Sequence, residues 1–377
     1  MSSPRAPGHL IFQAASCVAA KTRSPGDYDL PFASLHAMAI RPPRPQNKAQ
    51  WSAGRWFLLA LVCMGLITTA GATYAGDHPL TEVFYDEGHL QHLYTTGDSA
   101  YRGGVGSNET YTASFSLDIP PGAEVRFQRL YLHWAWSNFN QKPFYPVYNL
   151  SDSRDPSSDL ESAGRYVDSK GVVGTYDFYS GTDAYLLHPL HPGRNDFTVT
   201  LVQSGPPESS VALFGMALLV VYEDAAEPQR LIWVKEGCDI LFSSFGVSPE
   251  MASNEMTFEG TLPSDEIEGA ELLLVAPSGG YSRDRDFEIN SLRVNRVDEE
   301  RTPLLMRTIF SLLFPNYQGK EWFDIFVLDS QTQMGFETRE VKPYLRRENN
   351  KVVVRDQGDY LQLTNAILVI QVAGDGR

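Results

Sequence analysis

Short apolar runs, rich in β-branched and aromatic residues, recur between Gly, Pro, Asn and Asp from residue 111 to residue 372. Runs of that length and composition predict strands. They fall at residues 111–119, 125–136, 197–202, 211–222, 231–235, 256–262, 270–275, 322–328, 351–354 and 366–372. Residues 114–119 alternate polar and apolar, the pattern of an antiparallel strand with one wet face. Residues 211–222 are apolar almost throughout, which predicts a strand covered on both faces. Residues 302–314 (TPLLMRTIFSLLF) predict a helix instead, with Pro303 at an early position and apolar residues recurring at a period near 3.6. Many short strands and so little helix predict an all-β fold, a sandwich or a barrel.

Three blocks of this pattern occur twice, in the same order. SFSLDIPPGAEVRFQRLYL at 114–132 is matched by TFEGTLPSDEIEGAELLLV at 257–275. Each is a strand, a turn at Pro120 or Pro263, and a strongly apolar second strand. AYLLHPLHPGRNDFTVTLV at 184–202 is matched by PYLRRENNKVVV at 343–354, and GMALLVVYE at 215–223 by NAILVIQV at 365–372. The expected architecture is an internal duplication: two tandem antiparallel β-sandwich domains, residues 76–225 and 226–377. Each has about 150 residues, an ordinary domain size. Antiparallel sheets of that size close well with jelly-roll or Greek-key connections.

Residues 1–75 stand outside the pattern. Residues 56–74 (WFLLALVCMGLITTAGATY) are the most apolar run in the chain, preceded by Arg41, Arg44, Lys48 and Arg55, with no acid between Asp29 and the run. A basic region, a short apolar stretch and then small residues mark a secretory signal peptide. Ala70-Gly71-Ala72 and Thr73-Tyr74-Ala75 both fit the small-x-small cleavage rule. The alternative is an uncleaved anchor, since the run is about long enough to span a bilayer. Met38 gives a more ordinary basic region than Met1 and is the expected start. Cleavage would leave no membrane span and a protein that is secreted, extracellular or held in the cell envelope, the periplasm included.

Composition narrows the function classes. The chain has 377 residues, 31 Lys and Arg against 46 Asp and Glu, and a net charge of −15. Removing residues 1–75 takes away 7 basic and 2 acidic residues and leaves 24 and 44, a net of −20. No nucleic-acid partner is expected, because a phosphate backbone calls for a basic face. Of Cys17, Cys63 and Cys238, only Cys238 would remain after cleavage, so no intrachain disulfide is expected. Stability then rests on burial, with cations available to offset the negative charge.

The repeat plan resembles an uncharacterised family of exported, largely archaeal proteins known only as a domain of unknown function. The resemblance is carried by LYLHWAW at 130–136, by the block from Tyr176-Asp177 to Tyr185-Leu186, by LLVVYE at 218–223 and by Glu236-Gly237-Cys238-Asp239. It spans most of residues 80–372. It implies an exported β-rich protein and supplies no catalytic residues.

Familiar catalytic signatures are missing: no His-Glu-x-x-His, no Gly-x-Ser-x-Gly, no phosphate-binding loop. His89 and His92 are the pair closest to metal spacing, but no Cys or third His accompanies them. His188 and His191 sit in a Pro-constrained connection, and Cys238 reads as a buried, inert thiol. Two stretches outside the repeat hold the site candidates. Trp134, Trp136, Asn138 and Tyr145 combine aromatic faces, which stack on sugars, with an amide, which bonds hydroxyls. The alternative is a hydrophobic strand end packed against the partner domain. Asp284, Asp286 and Glu288 would share one face of a strand and form a row of carboxylates able to hold Ca²⁺. A solvated charged edge explains that row equally well. Asp152, Asp155, Asp159 and Glu161 make a second acidic loop with the same two readings.

These observations point to a non-enzymatic exported protein of the surface or envelope, acting in adhesion, carbohydrate binding or structural interaction. Its partner would be a glycan or a cell-surface protein. The alternative is a glycan-directed hydrolase with an acidic cleft between the two sandwiches. A hydrolase needs two carboxylates, or an acid and a His, converging on a concave site, whereas a binding module needs only an exposed aromatic platform.

Overall fold

The computed structural model describes residues 78–173, 176–244, 246–263, 267–280, 289–297, 303–314, 316, 318–358 and 360–373. β1 (Thr81–Gly88) comes ahead of the first half, which holds β2 (Leu90–Thr95), β3 (Arg102–Gly106), β4 (Thr110–Ile119), β5 (Glu124–Phe139), β6 (Lys142–Pro143), β7 (Tyr148–Asp152), β8 (Glu161–Val173), β9 (Tyr176–Leu186), β10 (Gly193–Gln203) and β11 (Ser210–Glu223). The second holds β12 (Arg230–Leu241), β13 (Ser253–Thr261), β14 (Ile267–Pro277), β15 (Asn290–Val294), α1 (Leu304–Leu313), β16 (Lys320–Phe323), β17 (Val327–Leu328), β18 (Met334–Glu340), β19 (Glu348–Asp356) and β20 (Leu361–Val372).

The strands of the described residues form four antiparallel sheets. In the first half a small sheet, β4-β10-β7, covers a large one, β2-β11-β5-β9-β8, with β3 on β11 and β6 on β5. In the second a large sheet, β1-β12-β20-β14-β18-β17, is covered by a small one, β13-β19-β15-β16. Each pair encloses its own apolar core: Phe115, Leu132, Trp134 and Leu213 lie in one, Trp233, Phe258, Leu292 and Leu368 in the other. A third apolar layer joins Tyr131, Ala217 and Leu219 to Ile232, Val234 and Ile367, so the two large sheets pack on each other. The order of layers is small, large, large, small. This explains β11. It is apolar throughout because one face fills the first core and the other meets the second sandwich. β4 belongs to an outer sheet, and its residues alternate exposed and buried along the whole strand.

The halves share one connection scheme. β2, β4, β5, β7, β9, β10 and β11 pair with one another in the same order as β12, β13, β14, β15, β18, β19 and β20. In each half the first strand lies beside the last, and the last lies beside the third. That is the wiring of a jelly roll built from two Greek keys. The duplication extends to a local irregularity. In β11 the core-facing residues are Val211 and Leu213, then Met216, Leu218 and Val220; in β20 they are Leu361 and Leu363, then Ala366, Leu368 and Ile370. A change of parity needs a bulge. In β11 it sits at Gly215, whose φ of 139° suits glycine, and Ser99 Oγ fills the gap by bonding both N and O of Met216.

Three features depart from simple tandem order. β1 precedes the first half in the chain but pairs with β12, so the second large sheet hosts it. The single strand expected at 322–328 is broken at Asp324, whose φ of 50° turns the chain: β16 stays in the small sheet and β17 joins the large one. α1 forms as its apolar period predicts, yet no residue in it is buried, and Leu312 is 81% exposed. Among the described residues no helix is long and apolar enough to cross a membrane.

Candidate functional site

β5 carries the aromatic stretch and decides where each side chain goes. Leu130, Leu132 and Trp134 point into the first core, while Tyr131 and His133 point to the seam between the large sheets. In a regular strand Trp136 would follow Trp134, because residues two apart share a face. It does not. Trp136 has φ of 49°, and Trp136 and Ser137 together oppose Val211 in the register with β11. This bulge separates the two indoles: Trp134 is 0% exposed and Trp136 43%.

Trp134 is therefore not part of an exposed platform, contrary to the expectation from sequence. It lies edge-on to Tyr145 at 5.7 Å and to Tyr179 at 5.5 Å. Glycine at 181 makes room for it, since a Cβ there would stand 2.2 Å from its ring. Tyr145 is half-buried and also supports rather than presents. Its hydroxyl donates to Asp183 Oδ1, and the Arg165 guanidinium covers its ring at 4.0 Å. Burial pushes the Asp183 carboxyl above its ordinary range, against the pull of Tyr145 and Arg165.

Trp136 remains at the surface. Its ring stacks on Tyr360 of the second sandwich, 6.3 Å between centroids and 25° between planes, so it bridges the seam. Beyond it β5 turns into β6 through Asn140 and Gln141, both left-handed, as a tight hairpin requires. The hairpin and β9 leave an open pocket of about 260 Å³ lined by Trp136, Ser137, Asn138, Gln141, Lys142, Pro143 and Tyr179. Asn138 is at its wall, its side-chain amide donating to Trp136 O at 3.2 Å. The lining holds two aromatic rings, two amides and an ammonium, and no carboxylate.

The acidic candidates fare differently. Asp284, Asp286 and Glu288 lie outside the described residues. Asp152, the last residue of β7, is buried, and its carboxylate is occupied by Arg154 at 2.7 Å and His188 at 2.8 Å. Burial would raise its pKa, but the hydrogen bonds from Arg154 and His188 outweigh that and hold it at about 2. Asp155 accepts from the hydroxyls of Ser157 and Ser158. These carboxylates pin a loop. Among the described residues no group of three or more His, Cys, Asp or Glu is placed to hold a metal ion.

Local spacing gave no signal for a second cluster, buried in the seam. Glu236 accepts from Tyr131 and Tyr166, each at 2.8 Å, and so joins the two large sheets. A few residues on, Asp239 of β12 faces Asp168 and Lys170 of β8. Lys170 Nζ is 2.8 Å from Asp168 Oδ2 and 3.5 Å from Asp239 Oδ1. Asn254 donates to the other Asp239 oxygen at 2.6 Å, and the Ile240 amide donates to Asp168 at 2.7 Å. Asp239 is pushed up to about 7 by burial, against the pull of Lys170 and Asn254. Cys238 is a free, buried thiol, pushed up by burial and by Asp168 and Asp239. Segments that carry the family resemblance meet at this seam: Tyr131 donates to Glu236, and the His133 ring nitrogen Nδ1 is hydrogen-bonded with Thr182 Oγ1 at 3.1 Å.

The fold thus defines a two-sandwich β protein with an aromatic pocket at the seam. The family model described as "Protein of unknown function (DUF3344)" matches residues 73–371, and the chain belongs to that family. No curated protein matches it. Among solved structures it is weakly similar to the "major capsid protein P2 from Bacteriophage PM2", with 7% identity over 76% of this chain and 99% of that one and a TM-score of 0.18. A score that low supports no conclusion about fold or function.

Proposed function

We propose that this is an exported, carbohydrate-binding protein of the cell surface or envelope. The observation that carries the reading is Trp136, a half-exposed indole beside a pocket of amides and an ammonium. Aromatic faces and amides suit the C–H faces and hydroxyls of a sugar. The absence of a carboxylate from the lining favours binding over glycoside hydrolysis, which needs a pair of them. The test is titration calorimetry against a panel of envelope polysaccharides and their oligosaccharides. Trp136→Ala should weaken binding about tenfold, since an aromatic contact of about 1.4 kcal/mol corresponds to that factor. A wild-type protein that binds no member of the panel, or a Trp136→Ala variant that binds equally, overturns the reading. Release of reducing ends would establish the hydrolase instead.

A second reading follows from α1. Its Leu305, Ile309, Leu312 and Leu313 form an apolar face that is exposed among the described residues. If residues 56–74 stay attached as an anchor, the sandwiches stand at a bilayer and α1 would lie in its interface. Neutral phosphatidylcholine vesicles should then sediment with the protein, and Leu305→Asp with Leu312→Asp should abolish it. No sedimentation of the wild-type protein removes this reading.

A further inference from the structure

We propose that Lys170 and Asp239 join through an intramolecular isopeptide bond that ties the two sandwiches together covalently. The three groups such a bond requires are an amine, a carboxyl that accepts it, and a second carboxyl to carry protons. All three meet in the seam. Lys170 and Asp168 stand two apart on β8 and face the same way; Asp239 comes from β12 of the other sandwich. None is more than 4% exposed.

The charges favour this reaction. Among the described residues, two carboxylates share one ammonium in this buried site, one negative charge in excess. Protonating one carboxyl removes the excess, and Asp239 is the one raised, to about 7. A neutral carboxyl is the electrophilic form. Asn254 donates to its Oδ2 and draws electron density from the carbon that is attacked. The Ile240 amide holds Asp168, which keeps it aimed at the Lys170 amine. His78 Nε2 stands 3.6 Å from the other Asp168 oxygen and is half exposed, giving protons a way to solvent.

The step balances without an oxidant or a cofactor. The Lys170 ammonium gives a proton to Asp168 and becomes an amine. Its lone pair attacks the Cγ of protonated Asp239. Asp168 returns a proton to the departing hydroxyl and takes the second one from the nitrogen, which it passes to solvent. A C–N bond forms, a C–O bond breaks, and one water leaves. Groups held in such a geometry react with effective molarities of about 10⁵–10⁸ M, far above that of the water that would reverse the reaction.

The test is mass spectrometry on the folded, full chain. The intact mass should be lower by one water. Trypsin should fail at Lys170 and release residues 166–194 joined to residues 236–283. Lys170→Arg should keep the charge, restore the calculated mass and lower the melting temperature by several degrees. Asp168→Asn should also leave the chain unlinked. Asp239→Asn should link with loss of one ammonia, a mass change that no merely structural role produces. Circular dichroism establishes that each variant is folded. Folded wild-type protein of full mass that is cut at Lys170 overturns the proposal. Loss of one water without the joined peptide places the bond within β8, at Asp168, and overturns it as well.

Discussion

Gly181→Ala tests how Trp134 is held. A Cβ at this position would lie 2.2 Å from Trp134 Cζ2, 2.5 Å from Cε2 and 2.8 Å from the backbone oxygen of Tyr166. The indole is wholly buried between Tyr145 and Tyr179, so it cannot swing to solvent. The oxygen belongs to a strand paired on the same sheet, so it cannot yield alone. Overpacking of a tight core costs about 1–3 kcal/mol. Contacts this short, against a ring and a backbone at once, place the substitution at about 3 kcal/mol. At roughly 2–4 °C per kcal/mol, the melting temperature should fall by about 6–12 °C. Urea unfolding at equilibrium measures the change, and a double-mutant cycle isolates its cause. In a Trp134→Leu background the smaller side chain leaves room, and the added cost of Gly181→Ala should drop below about 1 kcal/mol. A cost that is small in the wild-type background, or the same in both, would refute the argument that glycine is there for the indole.

Three further outcomes follow from the same geometry. Glu236→Leu should cost about 2–4 kcal/mol in urea unfolding, because it strands the hydroxyls of Tyr131 and Tyr166 in the seam. Asp152, held at about 2 when folded, contributes stability that is complete above the ordinary carboxylate range and lost as pH falls from about 4 toward 2. Asp152→Asn should therefore flatten the acid limb of the stability curve over that window, measured by urea midpoints at a series of pH values. Leu305→Gln with Leu312→Gln should change stability by no more than about 0.5 kcal/mol, since both side chains already face solvent; a large loss in thermal melting would mean that α1 is packed.

Much of the architecture was legible in the amino-acid pattern because it rests on periodicity. The alternation along β4 and the unbroken apolar run of β11 state how many faces of each strand are covered, and the three repeated blocks state that the scheme occurs twice. A polar turn or a Pro bend ends a strand wherever it stands, so the expected runs coincide with β4, β5, β10–β14, β19 and β20, while β1–β3, β6–β9, β15 and β18, less apolar or shorter, gave no such signal. Trp322 to Leu328 misled because nothing in the local pattern marks Asp324 as the residue that turns the chain from one sheet to the other.

What the tertiary structure alone decided is where side chains meet. Trp134 and Trp136 have the same local spacing as any pair two apart in a strand, and only a left-handed φ at Trp136 sends one into the core and the other to the surface. β1 lies next to the first half in sequence, yet it is hosted by the second, because the free edge that accepts it belongs to β12. Lys170 and Asp239 are 69 residues apart, so no window along the chain contains both. Their encounter depends on two large sheets packing face to face. A strand's pattern reports that a face is covered, and the cover itself comes from a distant part of the chain.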